Sequence, residues 1–204
     1  MANWAITDYA IEGPKETLDK IYAAIKEPKV EEGSSNNWEG NVLKTLGITY
    51  EDRRVISEKK GDIKITGYYL RGFIQEYTVE YDSEVIKFSA EEAWGLTDFS
   101  ELLEKEFPDI KVYWTVEECG CDVFATNDKE GKYFTTRYYV NCYIDGDCHD
   151  EYFPNKEMMY DWIKVITGEE AYDEDSVKEF NDNYAEACEE DENHINIYEY
   201  DVED

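Results

Sequence analysis

The stretch from Val85 to Ala125 constrains the fold most, because its pattern predicts a strand, a helix and a second strand in succession. Apolar residues recur at helical spacing from Phe99 to Phe107, and Pro108 cannot continue a helix. Alternating apolar and polar residues follow from Ile110 to Thr115, which is the period of a half-buried strand. A helix with one apolar face needs a sheet to pack on, so this stretch predicts helices laid on a β-sheet.

The same criteria predict elements along the rest of the chain. Residues 49–62 are polar and are expected to be mostly irregular, and residues 127–131 suit the turn of a hairpin. Ser176 and Glu179 have the spacing of a capping box at the start of a helix. The further helices are predicted at Pro14 to Glu27, Trp38 to Leu46, Pro154 to Thr167 and Ser176 to Glu190, and the further strands at Trp4 to Glu12, Ile63 to Leu70, Phe73 to Phe88, Cys121 to Thr126, Tyr133 to Ile144 and Ile195 to Val202.

The first part therefore has the order strand, helix, strand, strand, helix, strand, with one extra helix. This order is typical of a ferredoxin-like sandwich, an α+β fold in which helices cover one face of an antiparallel sheet. We predict such a domain over residues 1–145, with the hairpin as an extension. Residues 146–204 are predicted to form an acidic part, two helices and a strand, that packs on it.

Charge is the outlying property of the composition. Fifty acidic residues stand against twenty basic ones, and the formal net charge is −30. So negative a chain repels nucleic acid and anionic lipid, which predicts partners with basic surfaces. Acidity that serves solubility or salt adaptation alone is the alternative, although the lysines are not depleted.

Three observations bear on location. No apolar run approaches the roughly 18 residues that a membrane span needs. The first residues show neither the basic nor the apolar region of a secretory signal. The five cysteines are an odd number and are not spread as a disulfide framework. The expected location is a reducing cytoplasm, with no membrane contact.

Three motifs recur in a known pattern: the Asn3-Trp4 start, Trp94 before a helix, and Phe107-Pro108 before a strand. Over about the first 145 residues the chain resembles a family of phage- and plasmid-carried proteins with a ferredoxin-like domain. The resemblance implies that fold and a mobile-element origin, hence a host bacterial cytoplasm, and it implies no chemistry. Family members often carry a cysteine where this chain has Ala5, so any role of that thiol is absent here.

The cysteines allow three interpretations. Cys119, Cys121, Cys142, Cys148 and His149 could supply zinc ligands, and the expected hairpin would bring Cys142 near Cys119, where a disulfide could form. However, structural zinc sites usually space their paired cysteines by two to four residues, and Cys119 and Cys121 are separated by one. We therefore favour reduced, partly buried thiols and predict no metal.

Other chemical motifs are weak. Residues 145–151 are dense in carboxylates but lack the glycine and the closing glutamate of a calcium loop, which favours a solvated turn. His149 and His194 do not belong to a nucleophile motif, and the chain has neither a glycine-rich phosphate loop nor a metalloprotease motif. We therefore predict no enzymatic activity and no cofactor.

Tyrosine is unusually frequent, with eighteen residues. Many tyrosines fall on predicted strands, and an aromatic sheet face can stack nucleic-acid bases. Domains that do so also need basic residues to hold phosphates, so the chain's charge favours β-propensity and packing as the reason for the tyrosines.

The acidic C-terminal part is the strongest functional signal. From Glu169 to Asp204, sixteen acidic residues stand against one lysine, Lys178. Acidic residues recur every three or four positions along the last predicted helix over about 16 Å, a length over which one DNA strand carries about five phosphates. The alternative is a solvated outer helix face. The predicted partner-binding residues are Glu169, Glu170, Asp173, Glu174, Asp175, Glu179, Asp182, Glu186, Glu189, Glu190, Asp191 and Glu192.

The sequence thus predicts a non-enzymatic inhibitor. It would occupy the basic channel of a host nucleic-acid-binding defence protein, of the restriction or CRISPR type, by presenting carboxylates where phosphates would lie. It would not itself bind nucleic acid. The alternative is a protein-interaction module that binds through an aromatic or apolar face, with acidity serving only solubility.

Overall fold

The computed structural model describes residues 3–30, 32–57, 63–168, 173–185 and 193–203. The chain divides into two compact units, unit 1 (Met1–Val123) and unit 2 (Phe124–Asp204). The sequence predicted a division at residue 145. In the structure, residues 138–144 form the central strand of a three-stranded sheet, and both neighbouring strands come later in the chain. A boundary at residue 123 therefore keeps this sheet within one unit, whereas a boundary at residue 145 would divide it.

Unit 1 holds seven strands and three helices within the described residues. The elements are β1 (Trp4–Glu12), α1 (Lys15–Lys26), α2 (Glu39–Thr45), β2 (Arg54–Ser57), β3 (Ile63–Thr66), β4 (Gly72–Ile74), β5 (Glu80–Tyr81), β6 (Val85–Ala93), α3 (Phe99–Glu106) and β7 (Lys111–Glu118). The strands of its main sheet run in the order β7-β1-β6-β4, and every neighbouring pair is antiparallel. The expectation that β1 and β7 share one antiparallel sheet is confirmed, and the fold is a mixture of helices and sheet.

Alternation along β1 explains how this sheet meets the helices. Ala5, Tyr9 and Ile11 are buried, whereas Trp4 and Ile6 on the other face are exposed. The buried face carries apolar residues of α1 and α3, and the ring of Tyr9 meets that of Phe99 edge-on at 6.0 Å between centroids.

Two strand predictions for unit 1 were wrong in their extent, and one further strand was not predicted. Residues 49–62, expected to be mostly irregular, contribute β2, which forms a hairpin with β3. The strand expected to reach Leu70 ends at Thr66, because Gly67 adopts φ +80° and lies against the backbone of Asp52, where a Cβ atom would be 2.4 Å from the carbonyl oxygen. The strand expected over residues 73–88 is instead β4, a short 3₁₀ turn, β5 and the start of β6.

Unit 2 contains the remaining elements: β8 (Val123–Thr126), which begins at the boundary, β9 (Tyr138–Ile144), β10 (Asp147–Phe153), α4 (Lys156–Thr167), α5 (Glu174–Ala185), β11 (His194–Glu199) and β12 (Asp201–Val202). Its sheet has the order β10-β9-β11, fully antiparallel, and β12 pairs in parallel with β8. Helices α4 and α5 contribute to one core with the sheet, in which Val140, Met159, Ile163 and Ile195 are buried.

The expected hairpin between residues 121–126 and 133–144 is wrong. β9 forms its hairpin with β10, through Asp145 and Gly146, which both have positive φ. The loop before β9 is held by the buried carboxylate of Asp128, which accepts the backbone N–H groups of residues 132–134. Residues 145–151, expected to be a solvated turn, are thus a turn followed by most of an edge strand.

The capping residue of α5 lies three residues before Ser176, the predicted cap. Asp173 is the capping residue, because its Oδ1 accepts the backbone N–H of Ser176 at 2.9 Å and the Ser176 hydroxyl at 2.7 Å. The helix is described as far as Ala185, and its expected continuation to Glu190 lies outside the described residues. Among the helices of the described ranges, not one combines the length and the apolar character needed to cross a membrane.

Candidate functional site

Helix α5 is fixed on unit 2 by the side chain of Asn181. Its Nδ2 donates to the carbonyl of Ile195, and its Oδ1 accepts the backbone N–H of Ile195, both at 2.9 Å. Since β11 is an edge strand, the amide takes the place of a further strand and satisfies its backbone. Val177, one turn earlier, is buried in the core. These contacts fix which face of α5 points outward.

The outward face of α5 is acidic. Asp175, Glu179 and Asp182 are exposed and lie within about 60° of arc, on the side opposite Val177. They span about 10 Å along the helix, a length over which one DNA strand carries about three phosphates. We call these three residues the acidic face.

The structure describes five of the twelve predicted partner-binding residues. The three of the acidic face are joined by Asp173 and Glu174, which are exposed at the start of α5. Asp173 also has a structural role, and the hydrogen bonds from Ser176 hold the pKa of its carboxyl below the usual value. The seven that lie outside the described residues are Glu169, Glu170, Glu186, Glu189, Glu190, Asp191 and Glu192.

A cavity of about 460 Å³ lies beside the acidic face, within unit 2. We call it the α4–α5 pocket, because both helices line it together with β9 and β11. Its apolar floor is formed by Met159, Val177 and Ile197, and its rim carries Glu174 and Asp182. Asp182 therefore belongs both to the pocket and to the acidic face.

Polar groups inside the pocket form a small network. The Tyr138 hydroxyl donates to Glu199 Oε1 at 2.9 Å, in agreement with the register that places these residues opposite each other on β9 and β11. The Lys156 ammonium lies 3.6 Å from Glu199 Oε2 and 5.8 Å from the centre of the Tyr138 ring. The pocket thus already holds one cation between a carboxylate and an aromatic face.

Two phenols keep their protons in this pocket. Burial, then the hydrogen bond to Glu199, raises the pKa of Tyr138 to about 12. Burial also raises the pKa of Tyr160, where the carboxylates of Glu174, Asp173 and Glu199 act against the ammonium of Lys156. Both hydroxyls are therefore neutral at physiological pH.

Sequence reasoning missed the α4–α5 pocket. Its walls come from four elements, and the facing of Tyr138 and Glu199 depends on pairing β9 with β11. The expected hairpin assigned β9 to a different neighbour, so this register could not be foreseen. The helical stripe that contains Met159 was the only available signal.

The cysteines were expected to be partly buried, but of the four described only Cys142 is buried. Cys119 and Cys121 are exposed in unit 1, while Cys142, in unit 2, is buried and faces His149 across the β9–β10 ladder. All four described cysteines, which include Cys148, are free of disulfides. Burial, and then nearby Asp150, raises the pKa of Cys142 to about 11, so it is a neutral thiol. In the described part of the chain, no group of three or more His, Cys, Asp or Glu is placed to hold a metal ion.

A buried pair of carboxyl groups in unit 1 was not singled out from the sequence. Glu39, at the start of α2, and Glu92, on β6, are both fully buried. Thr97 Oγ1 lies between them, 2.8 Å from Glu39 Oε2 and 2.9 Å from Glu92 Oε1. Tyr9 donates to Glu92 at 2.7 Å, and Thr7 also donates to Glu92.

The hydrogen count of this pair fixes its protonation. Thr97 has one hydroxyl hydrogen and can donate to only one of the two carboxyls. Thr7 and Tyr9 donate to Glu92 and not to Glu39, so Glu39 is the carboxyl that is better held as a neutral acid, which can donate to Thr97. Burial, and then the charge of Glu92, raises the pKa of Glu39 well above its usual value.

This pair is closed to solvent and has a structural role. Glu39 packs directly on the backbone of Gly72, where a Cβ atom would be 2.3 Å from the carboxyl carbon. Within the described residues, Glu39 Oε1 has no hydrogen-bond partner. The pair therefore joins α2 to the sheet of unit 1 through the Thr97 hydroxyl and is buried away from any substrate.

Exposed aromatic residues gather at one end of the unit 1 sheet. Trp4, Ile6 and Trp94 are exposed by 42%, 42% and 56%, respectively. The Trp4 ring packs on Phe73 at 5.8 Å between centroids, and the Arg71 guanidinium lies 5.7 Å over Trp4. Trp94 has φ +67°, an unfavourable backbone conformation for a bulky residue. We call these five residues the tryptophan patch.

Two tyrosines that fall on predicted strands, Tyr139 and Tyr198, pack against each other in unit 2. Tyr139 stacks with Tyr198 and contacts Tyr152, at 5.7 and 4.8 Å between ring centroids, and Phe124 stacks on Tyr198 at 4.7 Å. These rings pack against one another, which agrees with packing as the reason for the many tyrosines.

Comparison with known proteins gives no relative from which a function could be transferred. The chain has no significant match to a family model, to a curated protein or to a solved structure.

Proposed function

We propose that the protein is a non-enzymatic inhibitor of a host nucleic-acid-binding defence protein, of the restriction or CRISPR type. Its acidic face would lie in the partner's basic channel, at positions that DNA phosphates otherwise occupy. The observation that carries this proposal is the outward array of Asp175, Glu179 and Asp182 on a helix fixed by Asn181.

Rigidity and charge support the proposal together. A basic channel recognises phosphates at fixed spacing. Because α5 is held by Asn181 and Val177, it presents its carboxylates at fixed spacing, and binding needs no further ordering of the helix. The net charge of −30 adds long-range steering toward a positive partner. The same charge repels DNA, so the protein would compete with DNA without binding it.

Fold, origin and place of action are inferred separately from the inhibitory role. We infer that unit 1 has a ferredoxin-like arrangement, supported by the antiparallel order β7-β1-β6-β4 with α1 and α3 between its strands in the chain. We infer a phage or mobile-element origin and a bacterial host cytoplasm as the place of action, on the resemblance of the first 145 residues.

The proposal is tested with purified DNA-cleaving restriction enzymes and CRISPR effectors. Each enzyme is assayed on its DNA with increasing amounts of the protein, at several salt concentrations. We expect inhibition of at least one enzyme, relieved by excess duplex DNA and weakened steeply by salt, because exposed charge pairs are screened within about 10 Å at 0.1 M salt. Inhibition that is insensitive to salt would contradict phosphate mimicry.

The tryptophan patch favours a second candidate, a protein-interaction module with an apolar binding face. A bulky residue at φ +67° carries a backbone cost, and strain of this kind often marks a functional position. Trp94→Gly relieves that strain, so the free energy of unfolding should change by less than about 1 kcal/mol. Loss of partner binding in this variant, with the salt response unchanged, would assign the interface to the patch.

A further inference from the structure

The α4–α5 pocket is a site distinct from the exposed carboxylates of the acidic face. Its volume of about 460 Å³ is in the range of about 300–1,000 Å³ that is usual for ligand sites. Its floor is apolar and its rim is charged, an arrangement that suits a long side chain with a polar end. Asp182 connects it to the acidic face, so a partner lying on that face would reach the pocket.

The charges of the pocket select a cation. Glu174, Asp182 and Glu199 line it against Lys156 and Lys178. Tyr160, also in the lining, lies near the carboxylates of Glu174 and Glu199 as well as the ammonium of Lys156. The three carboxylates outnumber the two ammonium groups, and this excess of negative charge favours a positively charged occupant.

Lys156 shows where a cation binds. Its ammonium lies beside Glu199 and over the Tyr138 ring, at 3.6 and 5.8 Å. The two paired side chains remain 54% and 61% exposed, and ion pairs as exposed as this contribute little. The internal ammonium is therefore a weak occupant that a better cation can displace.

A guanidinium is the better cation for this geometry. It is planar, can bond a carboxylate with two parallel N–H groups, and stacks on an aromatic ring, whereas an ammonium is a strongly hydrated point charge. The methylene stem of an arginine would cover the apolar floor of Met159, Val177 and Ile197. A basic DNA-binding channel presents such side chains.

We propose that the α4–α5 pocket receives one arginine side chain of the protein partner, with Glu199 and the Tyr138 ring as the guanidinium site and Lys156 as the group displaced. This inference rests on the proposed function, since it adds a specific anchor to the surface that the acidic face provides. It gives Lys156 the role of an internal competitor.

The test needs no partner protein. The methionine methyl groups are labelled with ¹³C, and NMR spectra are recorded during titration with acetyl-arginine amide at constant ionic strength. Met159 is buried in the pocket floor and reports occupancy, while its neighbour Met158 is 53% exposed and is an internal control. We expect a saturable shift of the Met159 signal, with the Met158 signal unchanged.

Two analogues test the chemistry. The citrulline analogue has the same shape without charge and should not shift the Met159 signal. The lysine analogue should bind about tenfold or more weakly, because it lacks the planar two-bond geometry. Equal shifts with arginine and citrulline, or no Met159 shift with arginine, would overturn the proposal.

Lys156→Met is the decisive variant. Removal of the competing ammonium should strengthen arginine binding severalfold, whereas a purely structural role of Lys156 would leave binding unchanged or weaken it. Lys164→Met on the same helix removes the same charge outside the pocket and is the matched control. If both variants change the affinity for arginine equally, the effect is one of net charge, and the proposed guanidinium site is wrong.

Glu199→Gln keeps the shape of the carboxylate and should abolish the arginine-dependent shift. Failure of the proposed function would appear elsewhere, as unchanged partner binding when Asp175 and Glu179, which do not line the pocket, are reversed in charge. The two failures are thus distinguishable.

Discussion

The two units use acidic side chains in opposite ways. In unit 1, Glu39 and Glu92 are fully buried and are linked by hydrogen bonds through the Thr97 hydroxyl. In unit 2, the acidic face of α5 is exposed and its carboxylates face water. The difference shows that acidity in this chain is not one property. One set of carboxyls joins elements of the fold, and the other is available to a partner.

The largest expected effect falls on the buried pair. Glu92→Ala removes the acceptor of three buried hydroxyl groups and should lower the free energy of unfolding by about 3–5 kcal/mol. The adjacent Glu91 is exposed, so Glu91→Ala should change it by about 0.5 kcal/mol or less. Urea unfolding measures both, and equal losses would remove the contrast between buried and exposed acids.

The next effect concerns the anchor of α5. Asn181→Ala removes both hydrogen bonds to Ile195 and should cost about 1–3 kcal/mol. The amide of Ile195 should also exchange faster with solvent, because its acceptor is lost. Asn196→Ala, an exposed position on the same strand, is the control. Unchanged exchange at Ile195 in the first variant would show that α5 does not depend on this anchor.

The pH response should differ in sign between the units. The raised pKa of Glu39 means that the folded state holds its proton more tightly than the unfolded state. Its contribution is fully present below a pH of about 4.5 and is lost as pH rises through the raised pKa, by up to about 1.4 kcal/mol per pH unit. Glu39→Gln should flatten this slope in unfolding experiments from pH 5 upward.

Asp173 in unit 2 gives the opposite response and the smallest effect. Its folded pKa is lowered by the hydrogen bonds from Ser176, so its contribution is present above its usual pKa of 3.8 and is lost as pH falls through the lowered value. Asp173→Asn keeps a capping side chain and should remove that acid-side dependence. Below pH 4, the helicity of α5 should fall more steeply in the wild-type chain than in the variant. Equal loss of helicity in the two chains would contradict this assignment.

Much of the fold was predictable where one face of an element is apolar. The spacing of Leu102, Leu103 and Phe107 gave α3, and that of Met159 and Ile163 gave α4. β10 was missed because it is an edge strand of mostly polar residues, of which only Phe153 is buried. Such a strand lacks the alternation of apolar and polar residues that predicts a strand.

The acidic residues divide in the same way. The acidic face was visible because exposed acids and a buried stripe share the helical period. Glu92 could have been found, since it continues the buried alternation of Ile86, Phe88 and Ala90 on β6. Glu39 carries no such signal, because its burial depends on the packing of α2 against Gly72, which only the tertiary structure shows.

The most direct test of the central claim reverses the charge of Asp175 and Glu179. The variant Asp175→Lys/Glu179→Lys is compared with Glu106→Lys/Glu130→Lys, which changes the net charge equally at exposed positions outside α5. Both should remain folded. In binding kinetics at low salt against the inhibited defence protein, the first variant should lose affinity by about tenfold or more, chiefly through slower association, and the control should lose much less. Equal affinities for the two variants would contradict phosphate mimicry by α5.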